Sequence, residues 1–351
     1  MHPTAQDALF QEQMTKDDAK EQEVMVSVLM LTYNHQDFVR RALDSVLGQK
    51  TDFTIEIVVS DDASLDQTQD ILLDYKDRFK ERICLLLSRE NQGLIPNFLK
   101  AYKACRGKYI AICEGDDFWI SRNKIQKQVS YLESHPECSL TFHRAVNLYE
   151  RSGAKSLSNP HQKQDSTILD LSQSNYITNV TAVFRHEPTL NLPEWFSQVS
   201  TYDYALHMLT AVKGNIHFFN EPMAVYRKRE GAIWSLASQN QQCEITLKVR
   251  ELLMEHFMDY NDKVFQNIRN THLLVGIRYL SDLERRGLTD KTKILKTRIL
   301  KYWPKENWDT LYAQHIKVFS SAKSHRSILK KSLSIVRDLI SRLIPLPRIS
   351  A

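Results

Sequence analysis

The sequence predicts an α/β fold in which a mostly parallel sheet is covered by helices on both faces and followed by a helical extension. Three observations predict this fold. Short apolar runs alternate with segments of helical periodicity through the first third of the chain. The runs are continuously apolar, which is typical of parallel strands buried on both faces. Beyond Trp234 the pattern changes to long helical segments that continue to about residue 345.

Four apolar runs predict the first half of the sheet. Their length and β-branching favour strands at Met25–Leu31, Thr54–Val59, Ile83–Leu87 and Lys108–Cys113. The segments between these runs repeat apolar residues at helical spacing. The first helix is expected to end at Gly48 and the second at about Phe79. The third spans Leu94–Cys105, with Pro96 near its start, where a missing amide hydrogen has little cost.

Weaker patterns follow in the middle of the chain. The segment Ser152–Gln164 is rich in Ser, Asn and Gln, and we predict a surface loop there. Strands are expected near Val180–Phe184 and Ile216–Phe219, with a helix around Tyr204–Val212 between them. These patterns divide the chain into a polar leader (1–23), an α/β domain (24–235) and a helical extension (236–351).

Composition excludes several classes of protein. Hydrophobic residues make up 42% of the 351 residues and charged residues 25%, as in an ordinary soluble protein. The polar leader predicts no signal peptide. No apolar run approaches the roughly 20 residues that are needed to cross a bilayer. The five cysteines are odd in number and lack metal-ligand spacing, so we expect reduced thiols and a cytoplasmic protein.

The net charge of +5 is concentrated in the tail. Residues 316–351 carry eight Lys or Arg and one acid, so eight minus one gives +7 for the tail and about −2 for the rest. The body of the protein is therefore not expected to bind nucleic acid. The tail also carries an apolar stripe at helical spacing, formed by Leu329, Leu333, Val336, Ile340 and Leu343.

Two interpretations of this tail are open. A basic amphipathic helix can lie on an anionic membrane, here the inner face of the cell membrane. Alternatively, the stripe packs on the protein's own helices or on a second subunit in a homodimer.

Three polar clusters directly follow predicted strands. They are Thr32-Tyr33-Asn34, Asp61-Asp62 and Glu114-Gly115-Asp116-Asp117. Because ligands bind beyond the carboxyl ends of parallel strands, we expect these clusters to converge on one site.

Asp116 and Asp117 suggest a cation site. Adjacent carboxylates repel each other unless a cation or hydrogen-bond donors neutralise them, and oxygen ligands suit Mg²⁺ or Mn²⁺. Phosphate oxygens and waters could complete the coordination shell. The alternative is an ordinary turn, since Gly-Asp-Asp is also good turn chemistry.

The Asp61-Asp62 pair also has two interpretations. Ser64 or Asp66 can cap the next helix, with Asp66 favoured, whereas Asp62 could bind a base or ribose. The chain contains no GxxxxGK[ST] or GxGxxG sequence, which excludes a P-loop or dinucleotide fingerprint. A diphosphate would therefore be held by a metal and by basic side chains.

Four stretches together resemble the bacterial-type members of glycosyltransferase family 2. These are VSVLMLTYN, IVVSDDASLDQT, ENQGLIPNFLKAYKACRGKYIAICEGDDFW and YDYALHM with EPMAVYRKREGAIWS. The resemblance covers roughly Val24–Ser235 and several motifs in the family's order. It implies the GT-A fold, with a Rossmann-like sheet, a nucleotide-diphospho-sugar donor, a divalent metal and inversion at the anomeric carbon.

Seven positions match donor-binding positions of the family: Thr32, Tyr33, Asn34, Asp61, Asp62, Asn91 and Gly93. By this resemblance, the first three form a loop that packs on the nucleotide. Asp62, with Asp61 beside it, matches the acid that binds uracil and ribose. The last two match an Asn-x-Gly turn near the nucleotide.

The remaining matches concern the metal and the catalytic base. The resemblance implies Asp117 as the first metal ligand and Asp116 as the second, with Asp116 also close to the donor. Glu114 stands where the family more commonly has Asp. Asp203 matches the family's catalytic base, which takes the proton of the acceptor hydroxyl. Its alternative role is the N-cap of the following helix.

The chain departs from the family at a second place. Arg229 stands where relatives usually have His, and Ala232 stands where they usually have a second Gly. Arg229 could bind diphosphate oxygens bidentately, or it could be an exposed loop charge. Trp195 and Trp234 could stack on sugars, although packing is the default role of a lone aromatic side chain.

We therefore expect an inverting, metal-dependent glycosyltransferase that uses Mn²⁺ or Mg²⁺ and a UDP-sugar donor. The acceptor is expected to be the hydroxyl of a saccharide or lipid-linked saccharide, with surface polysaccharide synthesis as the pathway suggested by analogy. Two alternatives are weighed against this function. A silent nucleotide-sugar-binding scaffold would be expected to lose the acids that this chain retains. A sugar-1-phosphate nucleotidyltransferase would need a Gly-rich basic loop after the first strand, where this chain has Thr32-Tyr33-Asn34-His35.

Overall fold

A computed structural model describes residues 23–187, 192–229, 237–304, 306 and 308–313. The basic tail, the leader up to residue 22 and Trp234 lie outside these residues, so what was predicted for them stays a prediction. Within the described ranges, no helix has the length and apolar character to cross a membrane. All five cysteines are free, as the sequence predicts.

One sheet organises the described residues. Its strands are β1 (Val26–Thr32), β2 (Ile55–Asp61), β3 (Ile83–Leu87), β4 (Tyr109–Ile112), β5 (Phe118–Trp119), β6 (Cys138–Tyr149), β7 (Ala154–Leu157), β8 (Asp165–Ser166), β9 (Val183–Arg185) and β10 (Asn215–Lys228). Hydrogen-bonded neighbours run in the order β3-β2-β1-β4-β9-β6-β10-β5, while β7 pairs with β6 and β8 pairs with β10.

The pairing confirms the α/β fold class. Strands β3, β2, β1 and β4 are parallel, and so are β6 and β10. Strand β9 lies antiparallel between β4 and β6 and joins these two parallel groups. The carboxyl ends of β2, β1 and β4 therefore lie side by side at one edge of the sheet.

The helices follow the strands along the chain. They are α1 (Val39–Leu47), α2 (Thr68–Arg78), α3 (Leu94–Ala104), α4 (Lys124–Ser134), α5 (Ile168–Leu171), α6 (Asp203–Ala211), α7 (Gln239–Phe257), α8 (Asp262–Arg285) and α9 (Thr289–Leu300). Helix α1 ends at Gly48 and α3 begins two residues before Pro96, both as the sequence predicts.

The core lies on both faces of the sheet because successive side chains of a strand point to opposite faces. Leu29 and Leu31 of β1 belong to one hydrophobic cluster, whereas Val28 and Met30 belong to the other. All four side chains are at most 4% exposed. This double burial explains why the strands are continuously apolar in the sequence.

Helices α7, α8 and α9 complete the first of these clusters. Leu247 of α7 and Leu273 of α8 are fully buried in it together with residues of the sheet. Helix α9 approaches α8 at Gly276, where an added Cβ atom would lie 2.4 Å from Ile299 Cδ1. The predicted helical extension therefore shares a continuous core with the sheet.

Two weaker predictions need correction. The segment 152–164 contains the strand β7, which pairs antiparallel with the outer end of β6. Its side chains are mostly exposed, so backbone hydrogen bonds form this strand without an apolar pattern that would reveal it. The predicted strand at 180–184 begins only at Val183, because Asn179–Thr181 form a 3₁₀ turn.

Candidate active site at the carboxyl ends of the strands

The strand-end clusters meet, as the sequence predicts. Thr32, the last residue of β1, lies opposite Asp61, the last residue of β2. Thr32 Oγ1 donates a hydrogen bond of 2.8 Å to Asp61 Oδ2. The turn 114–117 follows β4 on the other side of β1, and Gly115 N donates to Leu31 O over 2.9 Å. Tyr33 is 39% exposed at this edge.

Asp61 holds the loop after β2 in shape. It is fully buried, and Thr32 Oγ1, Ser64 N, Ser64 Oγ and Gln69 Nε2 donate to its carboxylate over 2.6–2.9 Å. A carboxylate offers about four acceptor sites, and all of them are used here. We therefore expect Asp61 to shape the loop, and its predicted place at the donor site stays a prediction.

Asn34 has a similar local role. Its φ is +53°, a left-handed conformation that Asn tolerates better than most residues. Asn34 Oδ1 accepts from Leu65 N over 2.8 Å, and Asn34 N donates to Ser64 Oγ over 2.9 Å. These bonds connect the loop after β1 to the loop after β2. Asp66 Oδ1 accepts a bond of 2.9 Å from the amide of Thr68, the first residue of α2, although the N-cap position is Gln67 and not Asp66.

Asp62 connects the loop after β2 to the turn before α3. Its oxygens accept from Gln92 N over 2.9 Å and from Gly93 N over 2.8 Å. Asn91 Oδ1 also accepts from Gly93 N, over 3.1 Å. Gly93 has a φ of +91°, which glycine adopts without strain. Three residues that the sequence predicts at the donor site, Asp62, Asn91 and Gly93, therefore form one unit.

Glycine is required in the turn after β4. A Cβ atom at Gly115 would lie 2.6 Å from Thr32 Cγ2 and 2.8 Å from His35 Nδ1, both well inside contact distance. Only glycine allows the turn to lie this close to the loop after β1. The close approach brings Asp116 and Asp117 next to the residues expected to bind the nucleotide.

Asp117 carries an oxygen that has no partner among the described residues. The residue is 1% exposed, and its Oδ1 accepts a bond of 2.8 Å from Arg227 N. Its Oδ2 is buried without a hydrogen bond. Burial raises the pKa of Asp117 well above its usual range, and the carboxylates of Asp116 and Glu114 raise it further. A buried acceptor in such a position is unfavourable unless a donor or a cation satisfies it.

Arg229 lies beside the turn 114–117, which we call the acid turn, and not on an exposed loop. Its side chain is 12% exposed, and its Nε donates to Asp116 Oδ2 over 2.9 Å. Its Nη2 lies 2.7 Å from His35 Nε2, and that nitrogen is 3.9 Å from Asp116 Oδ2. Burial lowers the pKa of His35, and the charge of Arg229 lowers it further, while Asp116 raises it. His35 was not predicted as a site residue, because nothing in its local pattern separates it from a surface histidine.

Asp203 is the first residue of α6. Asn175 Nδ2 donates to Asp203 Oδ2 over 2.8 Å. Burial raises the pKa of Asp203, while hydrogen bonds from the Tyr204 amide, Thr201 and Asn175 lower it in part. The carboxylate is thus held at a helix start, where its negative charge is favourable.

Glu114 connects the acid turn to the residue that precedes Asp203. Tyr202 Oη donates to Glu114 Oε1 over 2.9 Å, and Asn179 Nδ2 donates to Tyr202 Oη over 2.8 Å. Burial, Asp116 and Asp203 raise the pKa of Glu114 to about 7. Sequence reasoning missed Tyr202 and Asn179, since neither stands in a strand-end cluster.

Other predicted positions have simpler roles. Trp195 packs beside Phe196, and its Nε1 donates to His256 Nδ1 over 3.3 Å, which favours packing over sugar stacking. Tyr226 of β10 is a further residue that the sequence did not single out. The pKa of Tyr226 is raised by burial and by four carboxylates, which we call the acid group: Asp117, Glu114, Asp116 and Asp203. The Tyr226 hydroxyl therefore lies within the electric field of all four.

The residues of the acid turn fit a divalent cation for which the protein would supply only some of the ligands. Asp117 Oδ2 is a buried oxygen without a partner, and Asp116 supplies a second carboxylate one residue away. Within the described ranges, no three His, Cys, Asp or Glu side chains are arranged to hold a metal ion alone. The remaining ligands would come from other oxygens, as hard cations readily accept.

Comparison with known proteins gives a consistent result. The model of the family "Glycosyl transferase family 2" matches residues 27–229. An uncharacterised protein of Mycobacterium tuberculosis is 36% identical over 215 residues, a match that spans 60% of this chain and 61% of that protein.

Solved structures share the fold. TarS of S. aureus (residues 1–349), in complex with UDP-GlcNAc, superimposes with a TM-score of 0.53 at 17% identity, covering 81% of this chain and 93% of that one. The mannosyltransferase PcManGT from Pyrobaculum calidifontis, in complex with GDP-Man and Mn²⁺, gives a TM-score of 0.52 at 15% identity, covering 87% and 89%. These likenesses establish the GT-A fold predicted from the sequence, and the family match covers more than half of the chain. The chain belongs to glycosyltransferase family 2.

Proposed function

We propose that the protein is an inverting glycosyltransferase that moves a sugar from a nucleotide-diphosphate donor to an acceptor hydroxyl. One observation carries this proposal. The carboxylates of Asp116 and Asp117, with an unpartnered buried oxygen on Asp117, and a separate carboxylate at a helix start, Asp203, all raise the pKa of Tyr226. An inverting transfer needs such a division, because leaving-group stabilisation and proton removal occur on opposite sides of the sugar.

The nucleotide is proposed to bind beside the loops after β1 and β2. Tyr33 offers an exposed ring for stacking, and Asp62 with the Asn91–Gly93 turn offers polar groups fixed by hydrogen bonds. Thr32 and Asn34 hold these loops together. The complexes of TarS with UDP-GlcNAc and PcManGT with GDP-Man support a nucleotide-sugar donor. We propose a UDP-sugar because the family resemblance assigns Asp62 to uracil.

Asp117 is proposed as the first ligand of Mn²⁺ or Mg²⁺ and Asp116 as the second. When bound, such an ion would stabilise the negative charge that develops on the departing diphosphate. Arg229 is proposed to bind the diphosphate, since its guanidinium lies at Asp116 and offers paired N–H donors. The Mn²⁺ in the PcManGT complex supports a metal-dependent site.

Asp203 is proposed as the catalytic base. The acceptor oxygen forms a bond to the anomeric carbon, the bond from that carbon to the diphosphate oxygen breaks, and the hydroxyl proton passes to Asp203. Burial raises the pKa of Asp203, which makes the carboxylate a stronger base than an exposed aspartate. Asn175 Nδ2 donates to Asp203 Oδ2 over 2.8 Å, which holds the carboxylate in place.

We propose an α/β domain at 24–235 and a helical extension at 236–351, with acceptor contacts in the region after Arg144 and in the C-terminal helices. The acceptor class is proposed to be a saccharide or lipid-linked saccharide. Placement of the tail (316–351) on an anionic membrane would suit the second of these. Surface polysaccharide synthesis stays a prediction by analogy.

A thermal-shift screen tests the proposal. UDP-glucose, UDP-GlcNAc, UDP-galactose and GDP-mannose would each be added with Mn²⁺ or with EDTA. A donor at 100 times its dissociation constant should stabilise the protein by about 2.7 kcal/mol, and EDTA should abolish the shift. Release of UDP or GDP from the same donors then separates an enzyme from a silent scaffold. A Mn²⁺-independent shift without turnover would support the scaffold. Release of pyrophosphate from UTP and a sugar 1-phosphate would support a nucleotidyltransferase.

A further inference from the structure

We propose that Tyr202 is a positioning residue whose hydroxyl fixes the catalytic base relative to the acid turn. The inference rests on the proposed function, because it assumes that Asp203 is the base. Tyr202 directly precedes Asp203 and is the residue before helix α6. Its side chain, however, reaches the end of β4.

Both the ring and the hydroxyl of Tyr202 are fixed. The residue is 2% exposed, and its ring stacks on Phe98 with a centroid distance of 4.1 Å and an interplanar angle of 16°. The hydroxyl donates to Glu114 Oε1 over 2.9 Å and accepts from Asn179 Nδ2 over 2.8 Å. A buried, satisfied hydroxyl of this kind specifies one position of its chain segment.

The hydrogen bond from Tyr202 Oη to Glu114 Oε1, which we call the bridge, connects two parts of the site that lie far apart in the chain. Glu114 is two residues before Asp116 in the turn after β4, whereas Tyr202 is bonded to Asp203. The start of α6 depends on Tyr202 in a second way, since its carbonyl accepts from Leu206 N over 2.9 Å. Movement of Tyr202 would therefore shift both Asp203 and the first turn of the helix. Misplacement of a catalytic group by about 1 Å can reduce a rate roughly 10²-fold.

Tyr202 does not act on the substrate itself. Its hydroxyl is buried and already has both a donor and an acceptor partner in the protein. The expected effect of removing that hydroxyl is therefore exerted through Asp203. This distinguishes a positioning role from a catalytic one.

The substitution Tyr202→Phe removes the bridge and keeps the stacked ring. Tyr204→Phe is the matched control, because Tyr204 lies two residues later, is 4% exposed, and donates to Leu171 O over 3.1 Å away from the acid turn. We expect kcat for UDP-GlcNAc, UDP-glucose or GDP-mannose hydrolysis with Mn²⁺ to fall roughly 10-fold to 10²-fold in Tyr202→Phe. The dissociation constants of UDP and Mn²⁺ should stay unchanged. Tyr204→Phe should retain kcat.

A double-mutant cycle identifies the residue through which Tyr202 acts. In an Asp203→Asn background, Tyr202→Phe should reduce kcat no further, because the base is already absent. An equal loss in both backgrounds would overturn the inference, since Tyr202 would then act elsewhere. Equal kcat in Tyr202→Phe and wild type would overturn it as well.

A ligand-free measurement separates this inference from the proposed function. Hydrogen exchange at Leu206 N should be at least tenfold faster in Tyr202→Phe than in Tyr204→Phe, because the first turn of α6 loses its anchor. Unchanged exchange would refute the bridge whatever the activity. If wild type hydrolyses none of the three donors, or Asp203→Asn hydrolyses them at the wild-type rate, the proposed function fails instead.

Discussion

Replacement of Asp117 by asparagine is expected to stabilise the protein and to remove metal-dependent transfer. The carboxylate is 1% exposed and its Oδ2 has no hydrogen-bond partner among the described residues. The neighbouring carboxylates of Asp116 and Glu114 raise its pKa together with burial, so they are close enough to repel it. Asparagine has nearly the same shape and carries no charge for these carboxylates to repel, while its oxygen keeps the bond from Arg227 N.

The magnitude follows from that one unpartnered atom. An unsatisfied buried acceptor costs about 1–3 kcal/mol, and a charged one costs more. We therefore expect the free energy of unfolding at neutral pH to rise by about 1–3 kcal/mol in Asp117→Asn without metal. Functional sites commonly contain such unfavourable groups, because binding the ligand relieves them.

Asp61→Asn is the matched control and should have the opposite sign. Asp61 is also a buried aspartate at a strand end, but it accepts four hydrogen bonds from the protein. An amide there would place donors against donors, so we expect a loss of about 1–3 kcal/mol.

Urea unfolding in EDTA measures both changes, and thermal shifts with Mn²⁺ and UDP measure ligand binding. Wild type should be stabilised by Mn²⁺ with UDP, whereas Asp117→Asn should not. The reasoning is refuted if both variants lose stability equally. It is also refuted if Asp117→Asn responds to Mn²⁺ as wild type does.

Three further predictions concern the base, the basic partner of the acid turn, and a buried histidine. Asp203→Asn should lower kcat roughly 10²-fold to 10⁴-fold, the usual worth of a general base, while calorimetry shows unchanged UDP binding; a parallel loss of affinity would contradict the assignment. Arg229→Gln removes the positive charge at Asp116 Oδ2. Calorimetry should therefore show roughly 10-fold tighter Mn²⁺ binding without nucleotide, and weaker UDP binding with Mn²⁺. Unchanged dissociation constants would show that Arg229 has a purely structural role. Burial lowers the pKa of His207 to about 3, whereas a histidine in the unfolded chain titrates near 6.5. Below pH 6.5 the unfolded chain therefore binds a proton that the folded protein does not, and the free energy of unfolding falls. His207→Leu should therefore lose about 1.4 kcal/mol less than wild type between pH 7.5 and pH 5.5, as measured by urea midpoints, and an unchanged pH dependence would show that another group is responsible.

The sequence predicts the first half of the fold well because its strands are buried on both faces. Strands β1 and β2 are buried along their whole length, which keeps their sequences continuously apolar. Strand β3 lies at the sheet edge and is mostly half-buried, yet its apolar run predicts it with the same bounds, Ile83–Leu87. Strand β6 was missed because Cys138–Tyr149 mixes apolar and polar residues along its 12 residues and has no short apolar run. Strand β10 was predicted only at its start, since Glu221 and Pro222 interrupt the apolar pattern where the pairing with β6 is irregular.

The location of the site was also predictable, whereas the roles of individual acids were not. Asp61 and Asp117 both belong to Asp-Asp pairs after buried strands, and their local patterns look alike. They differ in what other segments bring to them. Asp61 receives donors from Thr32, Ser64 and Gln69, while the described part of the chain gives Asp117 a single donor, the amide of Arg227. Hydrogen bonds across 110 positions of sequence cannot be inferred from spacing.

Asp117 lacks the hydrogen-bond donors that Asp61 has. This difference explains why a cation and a diphosphate should bind together at this site. The pKa of one tyrosine, Tyr226, is raised by all four carboxylates of the acid group, Glu114, Asp116, Asp117 and Asp203. Their charges therefore act on the same side chain. In the part of the chain that the structure describes, Arg229 is the basic side chain that hydrogen-bonds to this acid group, because the Arg227 guanidinium pairs with Glu150 over 3.1 Å. The raised pKa values of Asp117 and Glu114 indicate that further negative charge is unfavourable here, so a diphosphate would be repelled even with Arg229 and Arg227 nearby. A divalent cation reverses that repulsion and also satisfies Asp117 Oδ2. Donor binding should therefore be tightly coupled to metal binding, and UDP affinity should fall sharply when EDTA replaces Mn²⁺. Equal UDP affinity in Mn²⁺ and in EDTA would show that the acids do not face the diphosphate.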